Sequence, residues 1–181
     1  MSRKPIFFLP AVLALLAMPL SSFQPAASTA QQSGIRWYTM QEVQELSKKE
    51  PRKVFIDMYT DWCGWCKVMD KNTFTNAEVI QELNNKFYAV KFDAEGKEEV
   101  EFKDKTYNFV PQGGRGYHEL AAYLMQGKLS YPTTVFLDEN LELISPVPGY
   151  LPPEKMIPIL EYIGEDHYKS TKFQDFMSSR S

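Results

Sequence analysis

Cysteine is nearly absent from this chain of 181 residues: Cys63 and Cys66 are the whole complement. A structural zinc site wants four nitrogen or sulfur ligands. The only histidines, His118 and His167, have no paired spacing, so neither zinc nor an iron–sulfur cluster is expected. Covalent haem attachment needs histidine directly after the second cysteine, where Lys67 stands. No cysteine falls in the first thirty residues, which excludes a lipid-anchored N-terminus. Positive charge is not in excess either. Twenty Lys and Arg against 23 Asp and Glu give a net charge of −3, and no nucleic-acid partner is expected. There is no internal repeat, and the one long apolar run, Ile6 to Leu20, is interrupted by Pro10 and Pro19.

That run follows Arg3 and Lys4 and precedes Ser21 to Ala30, a stretch rich in small residues. A short positive start, an apolar core and a small-residue region form the pattern of a secretory signal peptide. Residues 1–30 are read as that signal, cut before Gln31, with a cut near Ala27 equally drawable. The alternative is an uncleaved membrane anchor, but a span needs about 20 apolar residues, and this run is short and broken. Residues 31–181 then form one domain long enough to bury a proper core. The expected location is exported, in the periplasm or cell envelope, where disulfides persist.

Along the domain, Trp37 and Tyr38 suit a short strand, and Thr39 suits the cap of a helix over Met40 to Lys49. Lys53 to Tyr59 reads as a strand covered on both faces. Cys63 opens a helix reaching roughly Lys71, Thr75-Asn76 caps another turn, and Lys86 to Phe92 is a second buried strand. This β-α-β-α-β order favours parallel pairing. Gly96 to Tyr107 is charged and reads as a solvated helix. Asn108 to Gly116 reads as a loop, and Tyr117 to Met125 as a helix. Thr133 to Leu137 and Leu141 to Ile144 form a hairpin. Pro153 starts a helix ending near Ile163, and the aromatics Tyr168, Phe173 and Phe176 suggest a last docked helix.

A bridge between Cys63 and Cys66 closes a very small loop and removes little entropy from the unfolded chain. A reactive role fits better than a structural one. At a helix start, unpaired backbone N–H groups and the macrodipole favour a thiolate over a thiol. Cys63 is therefore the expected nucleophile. Cys66, one turn further in and expected to be more buried, is the resolving thiol.

Trp62-Cys63-Gly64-Trp65-Cys66-Lys67, placed after the second strand of this order, resembles the active-site motif of the thioredoxin superfamily. Asp57 falls six residues before Cys63, where that family carries a buried acid. Lys91 sits on the next strand, where the family places a lysine, Tyr131-Pro132-Thr133 resembles its cis-proline loop, and Gly149 matches a glycine before its final helix. The resemblance covers Trp37 to Ile163. It implies an α/β thioredoxin fold, a central mixed sheet flanked by helices, with a loop/helix insertion before the cis-proline loop. It also implies that Asp57 accepts the Cys66 proton, that Lys91 tunes Asp57, and that Trp62, Gly64, Trp65, Tyr131 and Pro132 face the substrate. No cofactor is implied.

The pair Gly64-Trp65 departs from the Gly-Pro usual in cytosolic thioredoxins, and the stretch from Tyr107 to His118 is longer than the family minimum. Both bring the chain nearer the reductase domain of the thiol:disulfide interchange family. Partners are then protein disulfides or dithiols, with a membrane electron donor. Two other readings stand beside reduction: an oxidase or isomerase in folding of exported proteins, and a non-catalytic binding or chaperone module. Gly113-Gly114-Arg115-Gly116 reads as a plain loop, with a partner-facing rim as its functional alternative.

Overall fold

The computed structural model describes residues 34–180. The proposed signal segment and its cleavage site lie outside them. Among the described residues, a five-stranded sheet runs in the order β1 (Trp37–Tyr38), β3 (Phe87–Asp93), β2 (Lys53–Tyr59), β8 (Thr133–Leu137), β9 (Leu143–Pro148). β1 and β2 are parallel to β3, whereas β8 runs antiparallel to β2 and β9 antiparallel to β8. This is the mixed sheet of a thioredoxin fold. No helix in the described part is long and apolar enough to cross a membrane.

Strand alternation divides the core into two. Val54, Ile56 and Met58 of β2 and Tyr88, Val90 and Phe92 of β3 pack with Met40 and Val43 of α1 (Met40–Ser47) and Leu120 and Leu124 of α4 (Glu119–Leu124). Phe55, Phe87, Ala89 and Phe136 point the other way. They meet Met69 of α2 (Gly64–Asn72), Val79 and Leu83 of α3 (Ala77–Lys86), and Leu160 of α5 (Pro153–Gly164). Each fully buried side chain of this size contributes about 1.5–3 kcal/mol. The same alternation puts Lys53 and Asp57 of β2 on the face of Phe55, beneath the helix the cysteines begin.

Local chemistry sets the helix starts. Thr39 and Glu42 form a reciprocal capping box on α1, and the Asn76 side chain accepts from the N–H groups of Glu78 and Val79 at α3. After α5, a short 3-10 turn (His167–Lys169) leads to α6 (Phe173–Ser179), the docked tail helix expected from its aromatics.

The insertion differs from its expected form. Gly96 to Tyr107 holds no helix; it contains β4 (Val100–Phe102) and β5 (Lys105–Tyr107), an antiparallel hairpin. Its turn residues Lys103 and Asp104 both take left-handed backbone, and Gln44 of α1 bonds Glu101 O and Lys103 N. Charged residues on a hairpin's open face looked like a solvated helix, while Phe102 and Tyr107 are buried inward. Asn108 to Gly116 is not a loop either. β6 (Phe109–Gln112) and β7 (Arg115–His118) pair across Gly113-Gly114, whose φ values of 53° and 85° suit a two-residue hairpin turn. α4 is correspondingly shorter than the expected helix over Tyr117 to Met125. β9 starts later than expected because Leu141 is left-handed and the Asp138 side chain accepts from the N–H groups of Asn140 and Glu142. Pro146 and Pro148 are tolerated there because β9 is an edge strand.

Candidate active site

Cys63 occupies the N-cap of α2, and its Sγ accepts a hydrogen bond of 3.1 Å from the Cys66 N–H. The two cysteines are disulfide-bonded, with sulfurs 2.07 Å apart. Cys66 and Cys63 are almost equally buried, 3% and 4% exposed, so the expected difference in depth is slight.

Exposed tryptophans flank the pair, Trp62 at 50% and Trp65 at 61%. Neither is a core residue. Trp62 donates its indole N–H to Glu95 (3.0 Å), meets Tyr131 edge-on at 5.9 Å, and carries the Arg115 guanidinium 4.5 Å above its ring. Trp65 stacks on Tyr150 at 5.4 Å. The space a side chain at Gly64 would enter is open. The Tyr131–Pro132 bond is cis, and the Pro132 carbonyl accepts from the N–H of Gly149. Gly149 has φ of 96°, a conformation that suits glycine. Burial first, then Glu95 and Asp93, push the Tyr131 hydroxyl up to about 12.

On the strand behind the cysteines, Asp57 is buried and in register with Lys91 of β3. Its Oδ2 accepts from Lys91 Nζ at 2.9 Å, while its Oδ1 has no partner. Burial outweighs the attraction of Lys91 and raises the Asp57 carboxyl to about 6; Asp70 adds a smaller push in the same direction. Lys91 also bonds Asp70 of α2, and its ammonium lies 4.9 Å from the Tyr59 ring and 5.5 Å from the rings of Trp37 and Phe74. Burial pulls its pKa down, but Asp57 and Asp70 together leave it above the ordinary lysine value.

The fold thus joins Asp57 to Lys91, and Trp62 to Tyr131. Sequence reasoning missed Asp70, Glu95 and Tyr150, and placed Arg115 only in a loop whose alternative reading was a partner-facing rim. Asp70 had a usable signal, because it lies four residues after Cys66 on one helix. Glu95 and Tyr150 come from separate loops, with no local pattern to mark them. No three His, Cys, Asp or Glu side chains group as a metal site among the described residues. His118 is held instead as a core residue. Its Nδ1 accepts from Leu120 N–H, so the neutral ring carries its proton on Nε2, which donates to Glu98 O.

A cysteine-capped helix on a mixed sheet, with the acid and its lysine beneath, defines a thioredoxin-fold redox protein. The chain belongs to the thioredoxin-like domain family, whose model matches residues 40–164. An uncharacterised protein of Caenorhabditis elegans is 31% identical over 125 residues, 66% of this chain and 14% of that protein. Thiol:disulfide interchange protein DsbD of Haemophilus ducreyi is 45% identical over 40 residues, 22% of this chain and 7% of DsbD. The chain therefore spans only a small part of the length of these two relatives. Among solved structures, the oxidoreductase DsbH superposes with a TM-score of 0.55 at 16% identity, covering 83% of this chain and 95% of its own, a likeness of fold alone. With the bonded cysteines, the family and the interchange relative support thiol–disulfide oxidoreductase chemistry.

Proposed function

We propose that this protein is an exported thiol–disulfide oxidoreductase that reduces disulfides of other exported proteins. Residues 1–30 act as its removed signal, and 31–181 as the working domain. The observation that carries the reading is the Cys63–Cys66 bond at the start of α2, on the sheet face that also holds the Asp57–Lys91 pair.

The dithiol form reacts in two exchanges. The Cys63 thiolate, held by the Cys66 N–H and the helix start, attacks one sulfur of the partner disulfide. A mixed disulfide forms and the partner's other sulfur leaves as a thiolate. Cys66 then gives up its proton and attacks Cys63 Sγ. The Cys63–Cys66 bond forms, the mixed disulfide breaks, and the partner leaves as a dithiol with two added electrons. Asp57, titrating near 6, is suited to take the Cys66 proton at neutral pH. Lys91 tunes that acid, while Trp62, Trp65, Tyr131 and Pro132 meet the partner chain and Gly64 leaves it room. Electrons for the next cycle must come from a donor dithiol, and an oxidising compartment makes a membrane protein the suitable source.

Purified protein should reduce insulin disulfides with dithiothreitol as donor, and the Cys66→Ala variant should accumulate mixed disulfides through Cys63. A reduction potential near about −270 mV supports reduction, whereas one near about −120 mV assigns the protein to oxidation and overturns this direction. Absence of any trapped mixed disulfide would count against catalysis of either kind.

A further inference from the structure

We propose that Arg115 selects partner segments carrying an aspartate or glutamate beside the disulfide that Cys63 attacks, an inference that rests on the oxidoreductase reading above. The β6–β7 hairpin is built to hold this side chain in place. Gly113 and Gly114 supply the left-handed turn, and a Cβ at Gly116 would collide with the Phe109 ring and the Val110 carbonyl. The base of the hairpin is fastened beside the end of β3: His118 N–H donates to Ala94 O at 2.7 Å, and Asn108 N–H donates to the Glu119 carboxylate at 2.8 Å. The tip is therefore aimed, and Arg115 lands on the tryptophan adjoining Cys63.

A guanidinium stacked on an aromatic ring keeps its donors at its edge, where they match the two oxygens of a carboxylate. Arg115 is exposed, and its side chain makes no hydrogen bond or ion pair among the described residues. Two of the carboxylates on this rim already have donors. Glu95 accepts from the Trp62 indole, and Asp93 accepts from the Glu95 N–H at 3.0 Å. What is left beside the sulfurs is a positioned cation with an unused donor fork. An acidic side chain on the partner completes it, and a lysine at the same place is repelled.

The test compares two disulfide-linked synthetic peptides that differ only in glutamate or lysine next to the attacked cysteine, reduced by the protein with dithiothreitol as donor. Wild type should favour the glutamate peptide by about fivefold at low salt, as expected for a solvent-facing charge pair. The ratio should fall toward one near about 1 M salt, where screening is nearly complete. Arg115→Ala should abolish the preference and Arg115→Glu should invert it, while Arg115→Lys should keep part of it. Because a ratio is read, loss of folded protein lowers both rates together and leaves the answer intact. A wild-type ratio of one at low salt, or an Arg115→Glu variant that still prefers glutamate, overturns the proposal while the oxidoreductase reading stands. If wild type reduces neither peptide, both fall.

Discussion

Two lysines on one face of one sheet each sit between two carboxylates, yet the two clusters are built in opposite senses. Lys53, at the start of β2, has a side chain only 5% exposed and pairs with Glu139 at 2.6 Å and Asp166 at 2.8 Å, both of which reach solvent. Lys91 is 28% exposed, and one of its carboxylates, Asp57, is the buried member of the pair. At the first cluster the hydrogen bond from Lys53 leads in holding Asp166 below its ordinary value; Glu139 is also lowered despite burial, which is the largest single influence on it and acts against the lowering. At the second, burial drives Asp57 up to about 6. Burying the base makes an ion pair that stays charged. Burying the acid makes a group that exchanges a proton near neutrality.

The largest expected effect that separates the clusters is on rate. Asp57→Asn should slow disulfide reduction at pH 7 by about 100-fold, the scale of a lost proton acceptor, whereas Lys53→Met should leave the rate within about twofold. Insulin reduction measured side by side checks this, and equal losses in the two variants would erase the distinction.

Stability should move in opposite directions. A carboxyl whose folded pKa lies above its unfolded value favours the fold fully below about 3.8, and that contribution is lost as pH rises through about 6. At pH 7 the buried charge therefore costs on the order of 3 kcal/mol, since the rise from 3.8 to about 6 is worth about 1.4 kcal/mol for each tenfold change in proton affinity. Asp57→Asn should be more stable than wild type by about that amount at pH 7 and near equal at pH 4, read by urea unfolding of the oxidised protein. Lys53→Met should instead lose about 1–2 kcal/mol at pH 7, because Glu139 and Asp166 are left without their cation but still in contact with water.

The smallest effect sharpens the comparison within the active cluster. Asp70 adds a minor upward push to Asp57. Asp70→Asn should move the acidic limb of the pH–rate profile downward by less than about one pH unit, a modest change suited to a half-exposed charge. An upward movement would show that Asp70 acts mainly by holding Lys91 in place.

The parts of this arrangement that were legible in sequence share a cause: each announces itself locally. β2 was readable as Lys53 to Tyr59 from its mostly apolar run, and the cysteine motif behind it located α2, while the resemblance to the family picked out Asp57, six residues before Cys63. Lys91 followed from the same resemblance, which places a lysine on the next buried strand. The two hairpins differ from the expected helix and loop because a polar outer face hides period-two burial when only Phe102 and Tyr107, or Phe109 and His118, carry it. Glu95, Arg115 and Tyr150 reach the tryptophans only after hairpin and loops have closed; the glycines around Arg115 marked a turn, and nothing near the other two marks them. The first thirty residues, read as a signal, lie outside the described part.

The ends of the sheet carry a consequence of their own. β1 is two residues long, and β9 presents Pro146 and Pro148, which have no N–H to offer. An open strand edge is a template for another chain's backbone, and short or proline-bearing edges blunt it. A protein that exchanges disulfides with other chains, as proposed above, runs a standing risk of co-aggregating with them. These two edges would give the backbones of such partners little to zip onto.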